Sequence, residues 1–327
     1  MLLYTLMKGF VIFIVFLFLA TSYFLLATSI YAESPYFYNC LNPTNSPTEQ
    51  PTQPPPSPTL IPSVTNIPTV TATPVPTGIP TSTPSPTPII TNNCMLKMGT
   101  GSSTKIDLVV MAEDFSSQNE FLTSVDRSIN ALKRSNLGVQ RLDKFNIWVL
   151  LDLTQTFFTG FNCQSPGGIQ AACWDHQRAL ATAMSKCGGD TYLIINNDTH
   201  RSGSVAGAAV WGGVYAYKYA LDYPTVPHEL GHSLVGLWDE YSFGIPAPAG
   251  AIAGFNCSDT GSASQTTPCP KWDGRFSNTG CYQRCGYTNF YRPNQRSIMD
   301  RGGVNAVFEF NEPSLVDGWD EILKHFN

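Results

Sequence analysis

The stretch Pro227-His228-Glu229-Leu230-Gly231-His232-Ser233-Leu234-Val235-Gly236-Leu237-Trp238-Asp239-Glu240-Tyr241 decides how the rest of the chain is read. It contains the pattern His-Glu-x-x-His, with His228 and His232 four residues apart and Glu229 between them. On a helix, positions i and i+4 lie on one face a turn apart, so both imidazoles can reach a single ion. Neutral imidazole nitrogens suit Zn²⁺ at about 2.0–2.1 Å, and an open coordination position lets the metal bind and acidify water. Glu229, next to the first imidazole, can act on that water as a general base. Pro227 fits the first turn of a helix, where its missing N–H costs nothing. Gly236 can stop the helix and turn the chain toward Asp239 and Glu240. The competing reading is an ordinary amphipathic helix that carries two histidines, since so short a pattern recurs by chance. In that reading the Asp-Glu pair is a solvated helix end, or orients the histidines through hydrogen bonds.

The layout resembles the metzincin pattern, His-Glu-x-x-His-x-x-Gly-x-x-His, in which a glycine turn delivers the last ligand. Here the glycine comes one residue later and the ligand candidate is a carboxylate. The Gly-x-x-ligand spacing is kept at Asp239, which the resemblance makes the third ligand. Glu240 is the alternative, because one extra helical residue rotates the exit by about 100°. Downstream, Ser297-Ile298-Met299 matches the S-x-M turn that metzincins place beneath the metal as a hydrophobic floor, although a lone methionine can be plain core. Together with HELGHSLVGLWDEY and Tyr291-Arg292-Pro293, these features resemble the IgA-peptidase-type family of zinc metallopeptidases. The likeness runs from about Lys105 to Gly303 and takes in Ile106-Asp107-Leu108-Val109-Val110 and Phe145-Asn146-Ile147-Trp148-Val149. It is strongest on the helix with the two histidines. It implies a metzincin-like α/β (α+β) domain with Zn²⁺ on His228, His232 and Asp239. It also implies Glu229 as catalytic base and hydrolysis of peptide bonds in a protein or peptide substrate. Many metzincins have a tyrosine two residues after the turn methionine. Arg301 stands there in this chain, which leaves Tyr291 or Arg292 as candidates for steadying an oxyanion. Immunoglobulin as the substrate does not follow, because specificity lies in loops that the resemblance does not decode.

The organisation around this centre falls into three parts. Residues 1–32 carry one charge, Lys8, followed by an uncharged apolar run from Gly9 to Ala32. That run is long enough to span a bilayer, yet Ala27-Thr28-Ser29 and Ile30-Tyr31-Ala32 would also serve as small-residue cleavage sites. A cleaved signal peptide and a retained membrane anchor both fit, and both export the rest of the chain. Residues 33–93 include a Pro/Thr/Ser-rich stretch, Pro43 to Pro88, with a single charge at Glu49. So little apolar surface cannot order a core, and the prolines hold the chain extended, so the segment reads as a disordered stalk. Residues 94–327 are the folding domain, placed outside the cell or tethered to its surface by the N-terminal segment.

Cysteine usage agrees with export. Cys40 precedes the stalk, and the domain holds Cys94, Cys163, Cys173, Cys187, Cys257, Cys269, Cys281 and Cys285, enough for four disulfides whose pairing cannot be read from spacing. Cys281-x-x-x-Cys285 lacks the second pair that a zinc finger needs. Net charge is −5 and no basic patch is interleaved with aromatics, which excludes a nucleic-acid partner.

Within the domain, Lys105–Met111, Phe145–Leu151 and Thr191–Asn196 read as buried strands. Gln118–Arg134 reads as a helix with Phe121, Leu122, Val125, Ile129 and Leu132 on one face. Ile169–Lys186 reads as a second helix stopped by Gly188-Gly189, after a loop from Asp152 to Gly168. This β-α-β-α-β order predicts a twisted, mostly parallel sheet backed by helices. The metzincin resemblance makes Val210–Tyr217, by its position before the helix with the histidines, the candidate for an antiparallel rim strand that binds substrate by strand addition; the alternative is an ordinary core strand. Ser242–Asn289 forms a disulfide-rich lower subdomain, and Pro313–Phe326 a closing helix. His176, His200 and His325 read as surface or structural residues.

Two functions compete on sequence alone. One is a secreted or surface-tethered zinc endopeptidase. The other is a surface-display binding module whose zinc site is structural or vestigial. Glu229 favours the enzyme, because a structural site needs no base and would close its fourth position.

Overall fold

The computed structural model describes residues 90–91, 93–164, 170–198, 207–300 and 307–326. The apolar run from Gly9 to Ala32, the Pro43–Pro88 stretch, Cys40, His200 and Arg301 lie outside the described residues, whereas Ile90–Thr91, assigned above to the stalk, form a strand of the domain. Among the described residues no helix is long and apolar enough to cross a membrane.

The domain is mixed α/β. Its main sheet contains β1 (Ile90–Thr91), β2 (Cys94–Met98), β3 (Ile106–Glu113), β4 (Phe145–Leu150), β7 (Thr191–Asn196), β8 (Gly207–Val210) and β9 (Gly213–Tyr217). Their order is β1-β2-β4-β3-β7-β9-β8. The four inner strands β4, β3, β7 and β9 run parallel, with Leu108 opposite Ile147 and Val110 opposite Leu193. β2 pairs antiparallel with β4, and β8 antiparallel with β9.

The inner strands are apolar on both faces because both faces are covered. Ile106, Leu108, Val110 and Ala112 of β3 join Leu193 and Ile195 against α1 (Gln118–Arg134), through Phe121, Val125, Ile129 and Leu132. Val109, Met111, Tyr192 and Ile194 face the other way, onto Ala179 and Ala183 of α3 (His176–Cys187). A short helix, α2 (Asn136–Arg141), follows α1. Capping chemistry sets the helix boundaries: Ser117 caps α1 by accepting from Glu120 N, and Gly188 closes α3 at φ +68°.

Two expectations are corrected. The helix expected over Ile169–Lys186 starts only at His176, where Asp175 accepts from Arg178 N at 3.0 Å. Gln170–Trp174 instead form β6, antiparallel to β5 (Phe158–Gln164), inside the stretch expected as loop and helix. The strand expected over Val210–Tyr217 is broken by a Trp211-Gly212 turn with Gly212 at φ +80°. The antiparallel strand at the end of the sheet is therefore Gly207–Val210, and Gly213–Tyr217 belongs to its parallel interior.

Beyond Gly236 the chain is largely irregular until a hairpin, β10 (Tyr282–Cys285) and β11 (Tyr287–Arg292). Cys257–Cys285 and Cys269–Cys281 staple this region, and Cys94–Cys187 ties β2 to the end of α3. Cys173 is disulfide-bonded as well. Cys281 and Cys285 thus belong to two different disulfides. The chain returns to the core through a π-helical turn, Ser314–Trp319, and α5 (Asp320–Leu323), where Trp319 lies edge-on to Phe145.

Candidate metal centre

The helix α4 (Thr225–Leu230) packs on the α1 face of the sheet through Val226 and Leu230. Pro227 occupies its first turn, as expected, and His228 N bonds to Pro224 O at 2.9 Å. The helix widens into a π-helical turn, Gly231–Val235, which carries the second histidine. Gly236 then takes the left-handed conformation at φ +69°, and Leu237 N reaches back to Gly231 O at 3.0 Å. A Cβ at Gly231 would meet Met299 Sδ at 3.1 Å, so this glycine seats the helix directly on the Ser297–Met299 turn.

Three ligand-type atoms converge here. His228 Nε2 and His232 Nε2 are 3.1 Å apart, and Asp239 Oδ1 lies 3.1 Å from the first and 3.2 Å from the second. The rings stand at 86° to one another. Both δ nitrogens are directed to backbone carbonyls, His228 to Ile298 O at 2.8 Å and His232 to Leu237 O at 2.5 Å. Donating Nδ1–H to those carbonyls leaves each Nε2 lone pair facing the shared point. Tetrahedral coordination at about 2.0–2.1 Å requires ligand atoms roughly 3.3–3.4 Å apart. The observed triangle is close to that size, so the three residues fit such an ion.

Glu229 has a different place. One atom each from His228, Glu229 and His232 lie within 4.8 Å of one another, so a His-Glu-His group could also hold a metal ion. Asp239 Oδ1 lies at ligand spacing from both imidazoles, and the Glu229 carboxylate stands beside them within that limit. Glu229 is buried, beside Gly207 of β8, where a Cβ would come within 3.1 Å of its Cγ.

The charges are strongly coupled. Burial would lower the His228 pKa, but the Asp239 hydrogen bond and the Glu229 charge overcome it and raise it to about 9. Asp239 is opposed by burial, yet both imidazoles hold its carboxyl well below the usual range. Glu229 is pushed up by burial against the lowering effect of the histidines. Three acceptor atoms this close need a cation among them, either a proton or a metal ion.

Glu240, the alternative third ligand, turns away from the histidines and is fully buried. Its Oε1 accepts from Asn256 Nδ2 at 3.0 Å and from Asn311 Nδ2, and its Oε2 from Ser297 Oγ at 2.7 Å. Arg292 donates to Glu240 O and to Asp300, and Tyr291 packs on the cluster of Cys269, Trp272, Phe276 and Cys281. These contacts direct both oxyanion candidates into the lower subdomain. His176 lies on the opposite face of the sheet, bonded to Tyr192 Oη at 2.8 Å. Asn256 and Asn311 carry no signal in the sequence, because they sit in no recognisable pattern. Ser297 does carry one, since it is the first residue of the S-x-M turn. No protein-family model matches the chain, and no curated protein matches it.

Proposed function

We propose that this chain is an exported zinc-dependent endopeptidase. The observation that carries this reading is the triangle of His228, His232 and Asp239 with the buried carboxylate of Glu229 beside it. When bound there, Zn²⁺ would supply an acidified water and a Lewis acid for the scissile carbonyl. Glu229 takes the proton of the attacking water and hands it to the leaving amine. Burial, by raising its pKa, brings the carboxylate toward the range in which a base works near neutral pH. The Ile298 and Leu237 carbonyls hold the imidazoles in the tautomer that leaves Nε2 available. The end strand Gly207–Val210, next to Glu229, suits an extended peptide added by main-chain hydrogen bonds. Three disulfide pairs agree with an oxidising compartment.

Cleavage of a mixed peptide library by wild type and Glu229→Gln at matched zinc content tests the reading. The substitution keeps size and ligands but removes the base, so cleavage should fall about 10²–10⁴-fold while zinc stays bound. Equal rates, or cleavage that survives complete chelation, would rule the mechanism out. No cleavage by either protein with zinc fully bound would favour the binding module.

A further inference from the structure

We infer that Glu240 is a positioning residue for the metal centre: its carboxylate locks Asp239 and the Ser297–Met299 turn into one rigid unit with the two imidazoles. The inference rests on the zinc site proposed above and assigns a role to a residue that touches neither metal nor substrate.

The geometry carries it. Trp238, Asp239 and Glu240 are consecutive, and only the middle one faces the histidines. Both backbone groups of Trp238 are taken by Asn256, whose Oδ1 accepts from Trp238 N at 2.9 Å and whose Nδ2 donates to Trp238 O at 2.7 Å. Both backbone groups of Glu240 are also taken: its N donates to Met299 O at 2.7 Å, and its O accepts from Arg292. The Glu240 side chain then draws Asn256, Ser297 and Asn311 to one point, from 16, 57 and 71 residues away. Two of these partners are themselves fixed. Ser297 Oγ accepts from Met299 N at 3.1 Å while donating to Glu240, and Asn311 Oδ1 accepts from Ser314 N at 3.0 Å and Ser314 Oγ at 2.8 Å.

Between Ser297 and Met299 lies Ile298, whose carbonyl receives His228 Nδ1. One buried carboxylate therefore sets both the approach of the third ligand and the orientation of the first imidazole. Its position next to a ligand explains the chemistry chosen. A carboxylate accepts from three neutral donors at once, which an amide or hydroxyl cannot do, and a fully satisfied buried network holds a unique arrangement.

The test uses the full chain with Glu240→Ala, Glu240→Gln and Ser297→Ala. Two readouts are taken on protein shown to be folded by near-ultraviolet circular dichroism. They are zinc dissociation constants from chelator competition and the visible spectrum after cobalt(II) substitution. Glu240→Ala should weaken zinc binding by roughly 10–100-fold, the usual cost of removing a partner that orients ligands, and should shift the cobalt bands. Glu240→Gln keeps the shape and two acceptor contacts, so it should recover most of that loss. A merely structural role would lower thermal stability without moving the cobalt spectrum. Parental zinc affinity and an unchanged spectrum in folded Glu240→Ala would overturn the inference. Where that variant does not fold, Ser297→Ala, which removes the hydrogen bonds that join Glu240 Oε2 and Met299 N through Ser297 Oγ, decides the question through the same two readouts. If the parental chain itself binds neither zinc nor cobalt, the zinc site falls, and this inference with it. Unchanged variants of a zinc-binding parent overturn the positioning role alone.

Discussion

The sheet half of the domain, residues 106–235, and the irregular half, residues 237–300, are ordered by different physics. In the first, strands and helices satisfy their own backbone groups, and one continuous apolar cluster reaches from Ile106 to Leu230. In the second, β10 and β11 are the only strands among the described residues, and packing is divided between two small clusters, each containing a disulfide, and Leu237, Ile298 and Met299 at its two ends, which join the large cluster. Side chains bond to backbone where strands would otherwise pair: Asn256 to Trp238, Lys271 to the carbonyls of Gly254 and Cys257, both at 2.6 Å. A segment with so little regular pairing cannot bury enough apolar surface alone, so crosslinks and polar clamps replace it. The candidate metal centre lies on the seam. Its two histidines and Glu229 come from the regular half, and Asp239 and the Ser297–Met299 turn from the irregular half.

The sharpest break of that contrast comes from the apolar core. Phe121 is fully buried between α1 and the sheet, its ring centre 5.3 Å from that of Phe115. Phe121→Ala removes a whole ring where nothing polar can compensate, and should cost about 3–5 kcal/mol. Denaturant melts monitored by tryptophan fluorescence measure it. A loss below about 1 kcal/mol, well under that range, would mean the cluster is not what holds this half together.

Next in size is the staple Cys257–Cys285, which joins residues 28 apart in the chain. Chain entropy makes such a crosslink worth about 3–4 kcal/mol. In the paired Cys257→Ser, Cys285→Ser variant, amides of residues 282–292 should exchange much faster. Those of residues 106–113 should keep their protection. Equal loss of protection in both segments would show that the halves unfold as one cooperative unit and that the contrast is only architectural.

The same contrast explains what is legible in the sequence. Ile106–Glu113, Phe145–Leu150 and Thr191–Asn196 are continuous apolar runs, and such runs announce a sheet covered on both faces. The spacing of His228, Gly236 and Asp239 announces the turn that carries Asp239 back to the histidines, because helix geometry is local. The turn at Trp211-Gly212 is hidden, since two residues interrupt an apolar run without changing its composition. β6 passes for helix because the boundary depends on Asp175 capping the next helix, a side-chain choice that periodicity does not see. The web around Glu240 is legible only at Ser297, through the S-x-M turn. Asn256, Ser297 and Asn311 meet only after the disulfide-bonded and irregular segments between them have folded.

The smallest effect distinguishes the halves by pH. His176, on the sheet half, is hydrogen-bonded through Nδ1 to Tyr192 Oη at 2.8 Å, and that hydroxyl accepts from Trp174 Nε1 at 2.6 Å. Burial holds the His176 pKa below its ordinary 6.5, with Asp175 opposing. The unfolded chain therefore binds a proton that the folded chain refuses. As pH falls below about 6.5 the sheet half loses stability, until the folded pKa is reached and the loss levels off. Lys271, on the irregular half, has its pKa lowered to about 8 by burial, against the attraction of Asp317 and Asp259. Between that value and its unfolded pKa of about 10.5, the unfolded chain again binds the extra proton, so stability rises with pH across that window. His176→Gln should flatten the acid limb of a plot of Tm against pH and leave the alkaline limb alone. Lys271→Met should do the reverse. Differences from the parent are read, so the titration of other groups cancels. Each substitution flattening both limbs would show that burial of these two groups is coupled across the seam.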